Sequence, residues 1–205
     1  MNEINKKIVE QSMINEIREN IESSISVKEK VLCDIGLMTQ LEQLIQTCLH
    51  ALKSEGKVIF AGNGGSFADA QHLSAEFTSR FMFDRAPLPS IALGTNNSSM
   101  SAIGNDYGYE EVFARELEAI AKPNDVFIPI TTSGNSPNIL AAVSIAQELG
   151  MTTTGFTGKT GGKLKKLCDC ICIPSINTAR IQECHILFGH ILCGLIESRF
   201  FKNDD

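Results

Sequence analysis

The stretch that decides the fold is residues 57–66, which read KVIFAGNGGS. Its first half, Lys57–Ala61, is a short apolar run of the kind found in a β-strand buried on both faces. Its second half consists of glycines and small polar residues, which are typical of a tight turn. A buried strand that leads through such a turn into a helix indicates a parallel sheet covered by helices on both sides.

Similar apolar runs recur along the rest of the chain, at residues 90–93, 126–131, 153–156 and 170–173. Patterns with helical periodicity separate them, at about residues 66–80, 109–121, 136–149 and 179–201. Strands that alternate with helices in this way predict an α/β fold, with a parallel sheet of about five strands flanked by helices.

Two further helices are predicted before the first strand, over residues 3–21 and 27–54, and Gly56 follows the second as a glycine often follows a helix end. A length of 205 residues suits one domain with a full core. We therefore expect a single domain over 1–205, in which an N-terminal helical extension (1–55) precedes the sheet and its flanking helices (56–201).

The bulk composition excludes some classes of partner. A formal net charge of −6 gives the chain as a whole no electrostatic attraction to nucleic acid or to an anionic membrane. The charged N-terminal segment has no signal-peptide apolar core. The longest apolar stretch, 186–196, contains His190 and is shorter than the roughly 18 residues that a membrane span needs. These features predict a cytoplasmic protein.

Seven cysteines, an odd number, are distributed over the chain. Cys33, Cys48, Cys184 and Cys193 fall in helical patterns, and Cys168, Cys170 and Cys172 alternate along a predicted strand. Because they alternate, these three side chains lie on one face of the strand. The segment also lacks the CxxC turn that is typical of zinc sites. Reduced thiols packed in the core are the interpretation that we adopt.

The loop after the first strand, residues 62–67, is the first candidate binding element. It cannot be a dinucleotide fingerprint, because Phe67 stands where that motif needs glycine, and it lacks the Gly-Lys-Ser/Thr ending of a Walker A loop. A simple tight turn is one interpretation. Two consecutive glycines flanked by Asn63 and Ser66 exceed what such a turn requires, which favours ligand binding.

The loop after the third strand, residues 131–137, reads TTSGNSP and is the second candidate. Ser136 and Pro137 fit the N-cap and the first position of a helix. The remaining hydroxyls, at a helix N-terminus, suit a phosphate held by neutral donors. A third loop, residues 157–163, is glycine-rich and has two lysines, so it is either a rival phosphate site or a flexible turn.

Candidate acid–base residues lie on the first and last helices of the sheet region. His72 and Glu76 are four residues apart and so share a face, as a surface ion pair also would. The last helix has Gln182, His185 and His190 among apolar residues, and such polar groups need partners. We interpret His185 as a hydrogen-bonded core histidine and keep His72 and His190 as candidates.

Four segments together resemble the SIS sugar-isomerase domain and, within it, the phosphoheptose isomerase family. They are GNGGSFADAQHLSAEF (62–77), SAIGNDYGYEEVF (101–113), TTSGNSPNIL (131–140) and ARIQECHILFGHIL (179–192). The resemblance covers about residues 30–201, with the motifs in order. It implies an isomerase that converts sedoheptulose 7-phosphate to D-glycero-D-manno-heptose 7-phosphate, a precursor of heptose in lipopolysaccharide, capsule or other surface glycans.

The resemblance also implies roles for individual residues. Glu76 would be the base that moves a proton between C1 and C2, and His190 would handle the protons on oxygen, as aldose–ketose isomerisation through an enediol requires. A homotetramer with active sites between subunits is implied too. The residues that would bind substrate are Asn63, Gly64, Gly65, Ser66, Glu76, Asn105, Asp106, Thr131, Thr132, Ser133, Ser136 and Gln182. Those that would ligate one zinc ion are His72, Glu76, Gln182 and His190.

Spacing and chemistry bear on the implied zinc site. Gln182 and His190 are about 12 Å apart along an ideal helix, so they reach one ion only if their side chains lean together or the helix is irregular. Metal binding would also lower the basicity of Glu76. Two positions depart from the family: Thr131 stands where serine is usual, and Ala179 stands where some members have a potentially helpful aspartate.

Two other functions are open to this fold. A non-catalytic relative that contacts the replication initiator shares the first loop and the ARIQE run. It lacks the acidic residue at position 76 and the histidine at position 190, and this chain has both. A sugar-sensing regulator would need a DNA-binding segment, and the acidic N-terminal helices offer no basic recognition helix.

Overall fold

The computed structural model describes the backbone of residues 3–202 and side chains from residue 12 onward. Its centre is a five-stranded parallel sheet in the order β2-β1-β3-β4-β5. The strands are β1 (Val58–Gly62), β2 (Ser90–Ala92), β3 (Val126–Thr131), β4 (Thr152–Gly158) and β5 (Asp169–Ile173). The helices are α1 (Glu3–Leu32), α2 (Ile35–Lys53), α3 (Gly65–Thr78), α4 (Asn97–Asp106), α5 (Val112–Ile120), α6 (Pro137–Glu148) and α7 (Thr178–Phe201).

The strand order places the two candidate loops side by side. From β1 the chain crosses to β2 on one side, and then returns to β3 on the other side of β1. Gly62, the last residue of β1, pairs with Ile130 near the end of β3. Loops at such a switch point form the crevice in which open α/β sheets bind ligands. The predicted α/β fold and its sheet of about five strands are confirmed.

Each face of the sheet is covered by its own group of helices. One apolar cluster joins Phe60 and Ile128 in the strands to α2, α3 and α7. The other joins Ile59 and Phe127, the adjacent positions in those strands, to α5 and α6. Burial on both faces explains why β1 and β3 are continuous apolar runs with little polar alternation.

The N-terminal helices differ from the prediction. Helix α1 continues to Leu32, and the break falls at residues 33–34 instead of the predicted 22–26. The break is there because Asp34 caps α2: its Oδ1 accepts a hydrogen bond from Leu37 N at 3.1 Å. Met13, Ile14 and Ile17 of α1 are exposed, and the apolar residues Ile4 and Ile8 lie outside the described side chains.

The structure adds one helix to the prediction and divides another. Helix α4 (Asn97–Asp106) has no buried residue, so it lacks the apolar stripe by which a helix is recognised in sequence. The helix predicted over 109–121 is a 3₁₀ turn, Tyr109–Glu111, followed by α5.

Helix α7 is the one helix in the described part of the chain that is long and apolar enough to cross a membrane. The apolar stretch in it is thus longer than 186–196. Of its most apolar 18-residue window, 44% is buried inside the protein. Ile181, Leu192 and Ile196 belong to the core cluster, so α7 packs as a core helix.

All seven cysteines are free thiols, as predicted. Four of them, Cys48, Cys170, Cys184 and Cys193, are buried, and Cys168 and Cys172 are half-buried against the core. Cys33 contradicts the core prediction: it is exposed, because it lies in the break between α1 and α2.

Candidate active site

The first loop turns sharply from β1 into α3. Gly64 has φ +57°, a left-handed conformation that a residue with a Cβ disfavours. A Cβ on Gly65 would lie 2.5 Å from Gln182 Nε2, so the last helix packs its predicted site residue directly on this loop. The turn thus leaves the backbone at the start of α3 open to close approach by another group.

The second loop is built as the sequence predicts, with Ser136 as the N-cap residue of α6 and Pro137 in the first turn. The Ser136 hydroxyl makes no capping bond and instead lies 3.1 Å from Thr131 Oγ1. Thr132 and Ser133 are partly and fully exposed at the loop surface. Hydroxyls and N–H groups at the N-terminus of a 12-residue helix are neutral donors of the kind that suit an anion.

The third loop supports the second. Leu164 N donates to Gly134 O at 3.0 Å, and Lys163 N donates to Asn135 Oδ1 at 3.0 Å. Gly134 has φ +66°, and a Cβ there would lie 2.1 Å from Gly161 O. The glycines of the third loop therefore allow two backbones to pack in contact, which is a role that the sequence alone did not indicate.

A pair of amides joins the first two loops. Asn63 Nδ2 donates to Asn138 Oδ1 and Asn138 Nδ2 donates to Asn63 Oδ1, each at 2.9 Å. Tyr109 Oη also donates to Asn63 Oδ1, at 3.2 Å. Asn138 is only 3% exposed. Sequence reasoning named Asn63 but missed Asn138 and Tyr109, although both lie inside the quoted motifs.

Three titratable side chains, His72 and Glu76 from α3 and His190 from α7, come together where these two helices pack. His72 Nε2 lies 2.9 Å from His190 Nε2 and 3.3 Å from Glu76 Oε1. The His190 ring stacks on Phe81, with centroids 5.6 Å apart. Glu76 is 20% exposed and His72 is 49% exposed, so the cluster opens to solvent.

These three residues fit a metal ion. Each offers one ligand atom, and the three atoms lie within 4.8 Å of one another. Two imidazoles and one carboxylate are a donor set that zinc prefers, with a position open for another ligand. The side chain of Gln182, the fourth predicted ligand, packs against Gly65 in the first loop.

Other site predictions have different outcomes. Asn105 and Asp106 lie exposed at the end of α4, hydrogen-bonded to each other at 2.8 Å, and α4 packs on α5 and the 3₁₀ turn. His185 is a core histidine: it is 1% exposed, with Nε2 3.2 Å from Thr157 O. Burial lowers the pKa of His185 to about 4, partly opposed by that hydrogen bond.

Asp69 is a site neighbour that sequence reasoning missed. It lies one turn before His72 on α3, and the positive charge of that histidine lowers its pKa. Burial has the larger effect, so the pKa of Asp69 lies above its ordinary value. Its spacing of three and seven residues from His72 and Glu76 was the available signal.

Comparison with known proteins agrees with this arrangement. The SIS domain family model matches residues 19–158. A phosphoheptose isomerase of Aneurinibacillus thermoaerophilus is 51% identical over 188 residues, which cover 91% of this chain and 95% of that protein. Solved phosphoheptose isomerases from Francisella tularensis and Neisseria gonorrhoeae superpose with TM-scores of 0.86 and 0.85. They are 35% and 37% identical, and each alignment covers 91% of this chain and 99% of the solved one.

Three observations lead to the same family. The loops at the strand ends suit a phosphate, and a carboxylate and two histidines suit proton transfer. The relatives match over about nine-tenths of the chain. The chain belongs to the SIS domain family and, within it, to the phosphoheptose isomerases, and it is an isomerase.

Proposed function

We propose that this enzyme converts D-sedoheptulose 7-phosphate to D-glycero-D-manno-heptose 7-phosphate. The observation that carries the proposal is the meeting of Glu76 and His190, from helices far apart in the sequence, in one cluster with His72. The non-catalytic alternative, a protein that contacts the replication initiator, has no need of this pairing.

The chain's own residues suffice to describe the proton transfers. The Glu76 carboxylate removes the proton from C1 of the ketose, and His190 gives a proton to the C2 oxygen, which yields an enediol. His190 then takes the proton from the C1 oxygen, and Glu76 returns its proton to C2, which yields the aldose. No atom is gained or lost, and one base alternates between two adjacent carbons.

The rest of the proposed site positions the sugar phosphate. The hydroxyls of Thr131, Thr132, Ser133 and Ser136 at the N-terminus of α6 hold the phosphate, and the first loop and Gln182 hold the sugar. Asn105 and Asp106 contact the sugar from α4. Neutral donors suit a phosphomonoester that must leave after each turnover.

A zinc ion is part of the proposal, held by His72, Glu76 and His190, with Gln182 as the fourth ligand. Bound there, it would supply a Lewis acid for the substrate oxygens. Zinc ligation lowers the basicity of Glu76 and would occupy a ring nitrogen of His190, so both groups transfer protons in the state in which they are not bound to metal.

We also propose that the chain is one domain over 1–205 and assembles as a cytoplasmic homotetramer with active sites between subunits. An exposed apolar stripe supports assembly, and it extends along α1 to α2 and α7. Its members are Met13, Ile14, Ile17, Ile21, Ile25, Leu32, Ile35, Met38, Ile191 and Leu195. A groove of about 510 Å³ between α1, α2 and α7 continues it. Exposed Asn105 and Asp106 suit a site completed by a second copy.

Incubation of the purified protein with sedoheptulose 7-phosphate, followed by ¹H NMR of the sugar, tests the proposed reaction. In D₂O the aldose product should carry deuterium at C2 to the extent that Glu76 exchanges its proton with solvent. Absence of any aldose, with and without added zinc, together with tight binding to a replication initiator, would favour the alternative. The product would serve heptose synthesis for lipopolysaccharide or capsule.

A further inference from the structure

A buried ion pair lies next to the reactive cluster, which is formed by His72, Glu76 and His190. Arg85 Nε donates to Glu197 Oε1 at 2.9 Å, and the two side chains are only 3% and 1% exposed. Apolar residues of similar volume often replace such a pair without loss of stability, because desolvation of two charges offsets their attraction. The pair is therefore expected to matter less for stability than for the backbone groups that it holds in place.

Arg85 holds the end of α3. Its Nη2 donates to Glu76 O at 2.7 Å, and its Nη1 donates to Phe77 O at 2.7 Å and Ser79 O at 3.0 Å. A guanidinium at this position satisfies carbonyls that have no partner within the helix and complements the helix dipole. The last turn of α3, which carries the Glu76 carboxylate, is thus fixed through its own backbone.

Glu197 holds the turn that follows α3. Its Oε1 accepts from Phe81 N at 2.8 Å, and its Oε2 accepts from Met82 N at 2.7 Å. Burial favours the neutral acid, but these N–H groups and the Arg85 guanidinium together keep the pKa of Glu197 below its ordinary value. The carboxylate is therefore charged and accepts from both N–H groups at neutral pH.

The turn in question supports His190. The Phe81 ring lies 5.6 Å from the His190 ring, with 23° between the planes. Gly194 leaves room for it, since a Cβ there would lie 3.3 Å from Phe81 Cε1. Glu197 follows His190 by seven residues, two turns of α7, so both project from nearly the same face of that helix.

We propose that Arg85 and Glu197 are positioning residues for the isomerisation: the pair fixes Glu76 through the end of α3 and His190 through Phe81. The inference rests on the proposed roles of Glu76 and His190. Proton transfer depends steeply on the placement of donor and acceptor, so a loosened pair slows the chemical step more than it weakens binding of the sugar phosphate.

Kinetics of Glu197→Gln test the inference, with Asp125→Asn as the matched control. Asp125 is also 1% exposed and paired, to Lys57, but it lies at the opposite end of the sheet from the strand-end loops. Both variants should melt at lower temperature. Glu197→Gln should lower kcat by about tenfold or more at nearly unchanged KM. Asp125→Asn should leave both constants within about twofold of the parent enzyme.

A second variant separates positioning from stability. Arg85→Met/Glu197→Met removes both buried charges and leaves neither unpaired, so it should fold. It also removes the acceptor of Phe81 N, so kcat should remain low. If this double variant, or a folded Glu197→Gln, matches the control in kcat, the inference is wrong.

An NMR measurement distinguishes failure of this inference from failure of the proposed reaction. The stacked Phe81 ring shifts the His190 ring protons, and with four histidines in the chain these signals can be assigned by comparison with His190→Ala. Glu197→Gln should move them and Asp125→Asn should not. This readout needs no substrate, and unmoved signals in Glu197→Gln would overturn the inference even if the enzyme turns over.

Discussion

The Nε2 atoms of His72 and His190 lie 2.9 Å apart, although 118 positions separate the two residues in the chain. At this distance one imidazole can donate a hydrogen bond to the other. Glu76 Oε1 is 3.3 Å from the same nitrogen of His72. Two imidazoles and a carboxylate thus converge on one point of the protein surface.

This convergence predicts that the protein binds zinc through His72. Metal analysis after dialysis, and calorimetric titration with zinc, should show roughly one ion per chain for the parent protein and strongly reduced binding for His72→Ala. His50→Gln, which changes an exposed histidine of α2, is the control and should bind as the parent does. Equal zinc binding by His72→Ala would contradict the proposed ligand set.

Substitution of the two proton-transfer residues should abolish most turnover and leave the fold intact. We expect Glu76→Gln and His190→Ala each to lower kcat by about 10²–10⁴-fold, since each removes a group that moves a proton in the proposed mechanism. Circular dichroism should match that of the parent. A kcat reduced less than about tenfold in either variant would show that another residue moves the proton.

Buried His185 should make the protein less stable in mild acid. Its pKa is about 4 in the folded protein and 6.5 in the reference state, so between these values only the unfolded chain takes up the proton. Its contribution is fully present above pH 6.5 and is lost as the pH falls toward 4, about 3 kcal/mol in all.

Urea denaturation of His185→Leu at pH 7, 5.5 and 4.5 measures this effect. The variant should lose less unfolding free energy over this range than the parent, whatever its stability at pH 7. His50→Gln should keep the parent's pH dependence. If the curves of His185→Leu and the parent run parallel, another group causes the loss in acid.

The close packing of the second and third loops makes Gly134 sensitive to substitution. In Gly134→Ala the new methyl meets Gly161 O, and the left-handed φ adds about 1–2 kcal/mol of strain. Gly150→Ala is a matched control, because Gly150 also has a positive φ but no atom within 4 Å of the added carbon. Both variants should be less stable, and only Gly134→Ala should raise KM, about tenfold for each 1.4 kcal/mol of lost binding.

The apolar stripe on α1 should be an interface. Ile17 and Ile21 are 55% and 56% exposed, and a charge at either position would be buried against a second copy. Light scattering should show Ile17→Glu/Ile21→Glu shifted from the proposed tetramer toward the 22.3 kDa chain, with activity reduced if the sites lie between subunits as proposed. Ile176→Glu, at an isolated isoleucine that is 85% exposed, should remain a tetramer. A parent protein that is itself monomeric would contradict the assembly.

Strands β1 and β3 were predictable because they are buried on both faces, so each is an apolar run that leads into a glycine or hydroxyl loop. The same logic located the two candidate binding loops that follow these strands. Helix α4 could not be found in this way, since all of its residues are at least partly exposed. The end of α1 was misplaced because the signal was a single cap, Asp34, within a long helical pattern.

The reactive cluster was only half predictable. The spacing of His72 and Glu76 is visible in the sequence, whereas the contact with His190 exists only because α3 and α7 pack together. Asn138 and Glu197 have no local signature, because they hydrogen-bond to groups that lie far away in the sequence. Such long-range hydrogen bonds form only once the tertiary structure has brought the partners together.

The position of His190 on the last helix has a consequence for synthesis of the protein. Both candidate loops and Glu76 leave the ribosome well before α7 does, so a nascent chain contains the hydroxyls proposed to bind phosphate before it has His190, the proposed second proton-transfer group. The proposed proton transfers become possible only after α7 has packed against α3. A message truncated before codon 190 would therefore encode a chain that has the phosphate loops and no means of completing the isomerisation.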